Sequence, residues 1–306
     1  MSTREAFGKA LARIGSYEDL VVLDADVSES TKTAEFKKKY PERFINFGIA
    51  EENLFATAIG LAYSGLKVYA SLYSVFVLKA YDQLRIIAHD NLDVKIFASR
   101  PGLTNASDGW SHQTVEDVAV FRALPNFKVV VPADAVETDS VTEQSLNIKG
   151  PMYVRLSRTE SPIVFKEGFR FELGKGNVML EGSDAYIIAN GNMLVRALSA
   201  AEALKREGIR AGVINMSSVK PLDEGLVLKA AKSAGALVVA EEHSVIGGLG
   251  GAVAELVSKH YPVPVEFVGI NDSFGQSGKL EELYELFGLT PENIANSVKR
   301  VIGRKK

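Results

Sequence analysis

Short apolar runs alternate along most of the chain with longer segments in which apolar residues recur at helical spacing. The run Leu-Val-Val-Leu at residues 20–23 is continuous, as is typical of a strand buried on both faces of a parallel sheet. Phe7, Leu11 and Ile14 recur every three or four positions and predict a helix. We expect Thr3 to cap that helix. The alternation predicts an α/β fold with mostly parallel sheets and helices on both faces.

The same apolar pattern predicts the bounds of the individual strands and helices. In the first half, strands are predicted at 20–23, 44–47, 67–70, 94–98, 128–131 and 152–156, and helices at 3–14, 73–88, 115–122 and 135–146. In the second half, strands are predicted at 185–188, 211–214, 236–239 and 265–268, and helices at 195–207, 224–233, 250–260 and 291–302. Pro162, Gly168 and Gly174 interrupt the rhythm between the halves. We therefore predict two doubly wound domains, at residues 1–162 and 176–306, and a linker at 163–175.

Length and composition set further limits. A chain of 306 residues exceeds one ordinary domain, which agrees with two. The net charge of −3 gives no general attraction to nucleic acid or to anionic membranes, and the absence of cysteine excludes disulfides and thiolate chemistry. Because we find neither an apolar signal region nor an apolar run of membrane-spanning length, we expect a cytoplasmic location.

Two carboxylates, Glu51 and Glu52, follow a short strand that ends in Phe47-Gly48 and begin a helix of small apolar residues. Burying a carboxylate costs several kcal/mol unless a partner hydrogen-bonds or protonates it, so a buried acid here suggests proton chemistry. The residues alone leave a second interpretation open. Both acids could simply favour the helix N-terminus through its dipole, at roughly 0.3–1 kcal/mol each.

A long polar loop at residues 99–113 separates a predicted strand from the next helix. It contains Asp108, His112 and Trp110, the only tryptophan of the chain. Loops at the carboxyl ends of parallel strands often carry active-site residues, and a histidine there can take part in acid–base chemistry near neutral pH. The alternative is that His112 merely caps the helix that follows.

Other residues suggest ligand binding with less specificity. Arg155 and Arg158, together with Arg4 and the loop at 28–31, could surround an anion, since arginine forks suit phosphate; each could instead be a solvated surface charge. Tyr73 and Phe76 lie one helical turn apart and could stack on a flat heterocycle or belong to the core.

The glycines at 247–251 weakly resemble a phosphate cradle, although tight packing of a helix on the sheet explains them equally well. No metal-ligand spacing is present in the sequence. The Gly-Asp-Gly…Asn signature with which thiamine enzymes hold magnesium diphosphate is also missing.

Four segments occur in the order in which they are found in transketolases, and the chain resembles that family over nearly its whole length. The segments are Phe-Gly-Ile-Ala-Glu at 47–51, the aromatic helix at 73–84, Ser-Asp-Gly-Trp-Ser-His-Gln at 107–113 and Leu-Ser-Arg at 156–158. The resemblance implies a thiamine-diphosphate-binding pyrimidine domain followed by a transketolase C-terminal domain. The chain is thus expected to be the C-terminal subunit of a split transketolase.

The resemblance also implies a function. In the pentose phosphate pathway, such a subunit would transfer a two-carbon ketol unit from a ketose phosphate to an aldose phosphate through the ylide of thiamine diphosphate. It would act only with an N-terminal subunit that carries the diphosphate motif and supplies the ligands of Mg²⁺ or Ca²⁺. The expected assembly is a heterotetramer that contains a homodimer of this chain.

Individual side chains receive roles by the same resemblance. Glu51 is expected to hydrogen-bond N1′ of the cofactor's aminopyrimidine, and Phe76, with Tyr73 nearby, to stack on that ring. His112 is expected to assist proton transfer. The side chains expected to bind the sugar phosphates are Arg4, Ser30, Arg100, Asp108, His112 and Arg158.

Three residues depart from the family pattern. Arg100 stands near the position of a phosphate-binding histidine and is expected to replace it. Trp110 replaces a proline, which would narrow the substrate channel, and Lys79 replaces an aromatic residue of some relatives, which would thin the stacking surface.

Three alternatives are considered beside this interpretation. One is the β-subunit of a thiamine-dependent 2-oxo acid dehydrogenase, which shares the Ile-Ala-Glu motif; the motif at 107–113 and Arg158 argue against it. Another is a half of a 1-deoxyxylulose-5-phosphate synthase-like enzyme. The third is a non-catalytic scaffold, which does not explain why Glu51, Asp108 and His112 are retained together.

Overall fold

A computed structural model describes residues 1–305 of the chain, which form twelve strands in two sheets. In chain order the strands are β1 (Leu20–Asp24), β2 (Phe44–Asn46), β3 (Lys67–Ser71), β4 (Val94–Ser99), β5 (Lys128–Val130), β6 (Met152–Leu156), β7 (Asn177–Leu180), β8 (Ala185–Ala189), β9 (Ala211–Asn215), β10 (Ser218–Lys220), β11 (Leu237–Ser244) and β12 (Val265–Ile270).

Helices connect these strands and cover both sheets. They are α1 (Thr3–Ile14), α2 (Ser28–Thr31), α3 (Ala34–Lys39), α4 (Glu51–Tyr63), α5 (Ser74–Val77), α6 (Tyr81–His89), α7 (Asp117–Ala123), α8 (Ala135–Ser145), α9 (Met193–Arg206), α10 (Glu224–Ala234), α11 (Leu249–His260), α12 (Leu280–Leu286) and α13 (Pro291–Ile302). Single 3-10 turns span Pro41–Arg43, Leu78–Ala80, Ala106–Asp108 and Trp110–His112. Within the described part of the chain, no helix has the length and apolar content that a bilayer crossing requires.

The larger sheet has the strand order β10-β5-β6-β4-β3-β1-β2, and the smaller has the order β12-β11-β8-β9-β7. Pairing is parallel except for β10 against β5 and β7 against β9. The predicted α/β fold with mostly parallel sheets is therefore confirmed. One connection was not predicted: β10 lies in the second half of the sequence but pairs with β5 and completes the first sheet.

Continuous apolar runs become strands that are buried on both faces. Every residue of β1, β4, β6 and β8 is buried, because helices cover both sides of each sheet. Strand β7 instead alternates between partly buried and exposed positions at the edge of its sheet. Its weak apolar pattern explains why it was not predicted.

The N-terminal cap differs from the prediction. Ser2, and not Thr3, caps α1: its side chain accepts a hydrogen bond from Glu5 N while the Glu5 carboxylate accepts one from Ser2 N. This reciprocal pair satisfies two otherwise free backbone donors. The Thr3 hydroxyl accepts a bond from Ser157 N at 2.7 Å, which ties α1 to the end of β6.

The helix predicted at 73–88 is divided into α5, a 3-10 turn and α6. The turn at Leu78–Ala80 tightens the backbone where it packs against α4, and Ala80 leaves helical geometry with φ −92° and ψ 31°. Tertiary packing thus overrides the continuous helical pattern. The result places Lys79 beside the first turn of α4, with consequences for the site.

Candidate active site

The carboxyl ends of β1, β3, β4 and β6 lie together at one edge of the larger sheet, since these strands are parallel neighbours. The segments that follow them are α2, the start of α5, the loop at 99–113 and the turn after β6. In open parallel sheets this edge is where ligands bind. Most of the site residues predicted from the sequence lie on these segments; Arg4 comes from α1, and Glu51 comes from the start of α4, after β2.

Glu51 is the first residue of α4 and only 6% of its surface is exposed. Gly48, with φ +66°, turns the chain into this helix after β2. The Oε1 atom accepts a hydrogen bond of 3.1 Å from Lys79 Nζ, and the same ammonium lies 5.1 Å from the centre of the Phe76 ring. Oε2 has no hydrogen-bond partner among residues 1–305. The buried acid therefore keeps one acceptor free, and its other oxygen shares the Lys79 ammonium with the Phe76 ring.

Tyr73 and Phe76 form a stacked pair with ring centres 5.4 Å apart and an angle of 20° between the rings. His112 approaches from the loop, with its ring centre 5.5 Å from that of Phe76 and 6.4 Å from that of Tyr73. All three side chains are only partly buried. Their partial exposure favours the stacking interpretation over that of plain core, because a core ring would be covered on both faces.

Three arginines form a cluster beside the short helix α2. Arg4 Nη1 donates to the carbonyl oxygen of Ser30 at 2.9 Å, and Arg100 Nη2 donates to the Ser30 hydroxyl at 2.9 Å. Arg100 Nη1 also pairs with Asp108 Oδ2 at 3.0 Å, and Arg158 Nη1 lies 3.7 Å from the same oxygen. Arg100 thus links Arg4, through Ser30, to Arg158, through Asp108.

The electrostatics of this cluster favour an anion. Burial lowers the pKa of the Arg4 guanidinium, and the charges of Arg100 and Arg158 lower it further. Burial also lowers the pKa of Arg100. Arg4 Nε is a buried donor without a hydrogen-bond partner in the described residues. Unbalanced positive charge and an unused donor are what a phosphate group would satisfy.

The loop at 99–113 has two 3-10 turns separated by Gly109, whose φ of +77° is accessible to glycine at little cost. The first turn carries Asp108 and the second carries His112. Trp110 remains 64% exposed, and its ring centre lies 6.1 Å from that of Phe274 in the second half. The loop therefore presents its acid and its histidine to the site and its indole to the neighbouring domain.

For Arg155 the sequence left two interpretations open, a part in an anion site and a solvated surface charge, and the structure contradicts both. Its side chain is only 4% exposed and forms an ion pair of 2.9 Å with the fully buried Asp117. It also donates to the carbonyl oxygens of Thr114 and Glu242. These partners satisfy Arg155 inside the protein, so it does not contribute to the site.

The phosphate-cradle interpretation of the glycines at 247–251 is also wrong. The Glu241 carboxylate accepts hydrogen bonds of 2.8 Å from Leu249 N and Gly250 N at the start of α11. The protein's own carboxylate thus occupies the place of an anion. A Cβ at Gly250 would lie 2.5 Å from the Phe267 ring, which confirms the alternative of tight helix–sheet packing.

Glu242, the neighbour of Glu241, was not predicted to take part in the site. Glu242 is 5% exposed, and its Oε1 accepts a hydrogen bond of 2.8 Å from Leu103 N in the loop at 99–113. Its Oε2 accepts one of 3.0 Å from Asn192 Nδ2. Burial raises the pKa of this carboxyl, while Arg155 and the hydrogen bonds lower it. An acid directly after the apolar run of β11 is the signal that could have drawn attention to it.

Comparison with known proteins agrees with this site. Residues 1–163 match the transketolase pyrimidine-binding domain, and residues 174–294 match the transketolase C-terminal domain. The chain belongs to the transketolase family. The pyrimidine-binding match covers the edge of the larger sheet at which the site residues gather.

Individual relatives narrow the class further. The chain is 44% identical over 301 residues to a putative transketolase C-terminal section of Methanocaldococcus jannaschii, a match that covers 96% of this chain and 94% of the relative. It is 38% identical over 305 residues to a 6-deoxy-6-sulfo-D-fructose transketolase subunit of a Clostridium species, covering 99% and 95% of the two chains. Human transketolase is 35% identical over 307 residues, and the match spans only 49% of that enzyme.

A solved structure described as a split-gene transketolase in an inactive β4 tetramer superimposes with a TM-score of 0.92. It is 46% identical, and the alignment covers 100% of this chain and 99% of that one. The predicted assignment to a transketolase subunit that carries the pyrimidine-binding and C-terminal domains is therefore confirmed.

Proposed function

We propose that this chain supplies one half of a composite active site that transfers a two-carbon ketol unit from a ketose phosphate to an aldose phosphate. The observation that carries the proposal is the convergence at one sheet edge of a buried acid, two stacked aromatic rings and an arginine cluster. Lys79 Nζ contacts both Glu51 and the Phe76 ring, and Phe76 lies beside His112. Tyr73 donates a hydrogen bond of 3.0 Å to Ser30, which joins the aromatic pair to the arginines.

Thiamine diphosphate would be held here by its aminopyrimidine end, and when bound it supplies the carbon nucleophile that attacks the ketose carbonyl. Glu51 Oε2 is free to share a proton with a ring nitrogen, while Oε1 accepts a hydrogen bond from Lys79. Phe76, which is only partly buried, would stack on a flat heterocycle, with Tyr73 stacked beside it. A buried acid, a free acceptor and an adjacent π face are features that fit this end of the cofactor.

The sugar phosphate would be bound by the arginine cluster. Arg4, Arg100 and Arg158 would hold the phosphate together with Ser30. Asp108 would accept hydrogen bonds from substrate hydroxyls. His112 would donate to or accept from them and would move a proton during the transfer.

Binding of the diphosphate and the divalent cation is assigned to a separate N-terminal subunit. Within residues 1–305, no group of three or more His, Asp or Glu side chains has an arrangement suited to a metal ion. Ile49 is 80% exposed and Tyr63 is 62% exposed on either end of α4, so apolar surface is available for a partner. The proposed assembly is a heterotetramer that contains a homodimer of this chain, and the β4 tetramer of the similar protein supports self-association.

We also propose domain boundaries, a cellular location and a metabolic pathway for this chain. The proposed domains are residues 1–162 and 176–306 with a linker at 163–175, a division supported by the family matches at 1–163 and 174–294. We further propose a cytoplasmic location and a role in the pentose phosphate pathway. Because one relative is a transferase of a sulfonated sugar, the test below includes that substrate class.

The test uses the full chain, an N-terminal subunit that carries the Gly-Asp-Gly…Asn signature, thiamine diphosphate and Mg²⁺. Transfer from xylulose 5-phosphate to ribose 5-phosphate is expected in the mixture and absent for either subunit alone. Activity of this chain alone would refute the composite site. Conversion of a 2-oxo acid without ketose turnover would favour the dehydrogenase alternative. Preference for 6-deoxy-6-sulfofructose would place the reaction outside the pentose phosphate pathway.

A further inference from the structure

The loop at 99–113 is held by the second half of the molecule at several points. At its start, Leu103 N donates to Glu242. In its middle, the backbone N of Gly278 donates to the Ala106 carbonyl at 3.3 Å. At its end, Gln113 Nε2 donates to the carbonyl of Gln276 at 3.1 Å. Asp108 and His112 lie between these points, so the second half controls where both side chains stand.

Of these three contacts, the one with Glu242 has the shortest hydrogen bond. The carboxylate is buried, and each of its oxygens accepts a hydrogen bond of 3.0 Å or less. Gly102 faces it with φ +57°, and a Cβ at that position would lie 2.5 Å from Glu242 Oε1. The loop backbone therefore approaches the carboxylate as closely as only glycine allows. No other residue in the described chain hydrogen-bonds Leu103 N.

We propose that Glu242 is a positioning residue: by fixing Leu103 N, its carboxylate sets the loop that carries Arg100, Asp108 and His112. Its role in turnover rests on the proposed function, whereas its effect on the loop does not. Glu242 contacts none of the predicted cofactor- or substrate-binding side chains. It acts on the site from the other domain, through the backbone of the loop.

The molecule offers a matched control in Glu241. Both acids lie on β11 and both are buried, but the contacts of Glu241, with the start of α11 and with His243 Nδ1 at 3.9 Å, stay within the second half. General loosening of the second half would follow from either substitution. Loss of loop position should follow only from substitution of Glu242.

Trp110 allows the loop to be observed in this chain alone, since it is the only tryptophan and lies on the loop beside Phe274. Glu242→Ala should shift its fluorescence emission and speed amide hydrogen exchange across 101–113 about tenfold, because one buried donor loses its partner. Glu242→Gln retains an acceptor for Leu103 N and should restore both readouts. Glu241→Ala should leave both unchanged.

Folding is checked by far-UV circular dichroism. Arg155 keeps its pair with Asp117 in every variant, so the alanine variant should fold. If it does not, Glu242→Asp replaces it: the charge is retained, the carboxylate is withdrawn by one methylene, and the same change at Trp110 is expected. Unchanged emission and exchange at 101–113 in a folded Glu242→Ala or Glu242→Asp protein would overturn the proposal.

In the assembled enzyme, Glu242→Ala should raise KM for the sugar phosphates about tenfold and leave the affinity for thiamine diphosphate unchanged. The reason is that Glu51 and Phe76 lie outside the loop. If the assembly shows no ketol transfer at all, the proposed function fails while the fluorescence and exchange experiment still decides the role of Glu242. A loop change without any change in KM would reduce Glu242 to a structural contact.

Discussion

Two buried carboxylates lie beside the N-termini of helices in this protein, and their surroundings differ. Glu241 lies on β11, and both of its oxygens accept backbone hydrogen bonds from the start of α11. Glu51 is the first residue of α4, where one oxygen is paired with a lysine whose side chain is half exposed and the other has no partner within residues 1–305. Both are less than a tenth exposed.

The difference supports the proposed role of Glu51 and a structural role of Glu241. A buried charge that is fully hydrogen-bonded stabilises its neighbourhood and has no acceptor left for a ligand. A buried charge with a free oxygen costs stability and can bind a group that the chain itself does not provide. The same residue type, beside the N-terminus of a helix in each case, is thus fully hydrogen-bonded at Glu241 and has a free acceptor at Glu51.

The largest effect is expected from Glu51→Ala in the assembled enzyme. Turnover should fall by about a thousandfold or more, because the proton partner of the cofactor is lost. The free energy of unfolding should change by about 1 kcal/mol or less, since the ion pair with Lys79 is half exposed. Glu241→Ala should show the reverse, with turnover retained and stability reduced. Equal losses in the free energy of unfolding for Glu51→Ala and Glu241→Ala would contradict the different roles proposed for the two acids.

A large effect on stability is expected from Asp117→Asn, which leaves the buried Arg155 charge without its partner. The free energy of unfolding measured in urea should fall by about 3–5 kcal/mol. Asp139→Asn is the control, because Asp139 pairs with Arg13 at the surface and should cost less than about 1 kcal/mol. A small loss for Asp117→Asn would mean that water reaches the Arg155 site.

Glu137 is a third buried acid, and it should make the free energy of unfolding depend on pH. It accepts hydrogen bonds from Ala133 N and Asn215 Nδ2, yet complete burial raises the pKa of its carboxyl from 4.5 to about 7. The folded state therefore binds a proton more tightly than the unfolded state. The free energy of unfolding should decline by roughly 3 kcal/mol between pH 4.5 and 7 on this account.

Glu137→Gln should abolish that part of the decline, so that the variant is more stable relative to wild type at pH 8 than at pH 5. Urea titrations at the two pH values measure the difference. A parallel shift at both values would show that the Glu137 carboxyl has an ordinary pKa in the folded protein.

The smallest effect is expected from Arg100→Lys. Lysine keeps the charge but loses the fork that contacts Ser30 and Asp108, so KM for the sugar phosphates should rise about tenfold with a smaller change in kcat. Arg13→Lys, at an exposed pair, should leave KM unaltered. An unchanged KM for Arg100→Lys would remove this guanidinium from phosphate recognition.

Much of the fold can be predicted from apolar pattern alone. Apolar runs and helical spacing predict β6 at Met152–Leu156 and α13 at Pro291–Ile302 with their observed bounds. Buried parallel strands and amphipathic helices produce strong local signals. The three-residue strand β10 has none, because pairing with β5, almost ninety residues earlier, is what makes it a strand.

Only part of the site can be predicted from the sequence. Motif order predicts that Glu51, Phe76 and His112 gather at one edge, because each follows a parallel strand; in the structure Phe76 lies beside His112, and Lys79 joins Glu51 to Phe76. The burial of Arg155 cannot be read from its neighbours in sequence, since only the fold places Asp117 against it. Glu242 is missed for the same reason: its partner Leu103 lies in the other domain.

Strand β10 has a consequence for how the two halves can be separated. It covers the outer side of β5, and Ser217 O accepts a bond of 2.8 Å from Val131 N beside it. A fragment cut at the linker would lose this covering and expose a row of free backbone donors and acceptors. Exposed rows of this kind pair with other chains, so the isolated first half is expected to aggregate even though its apolar core is intact.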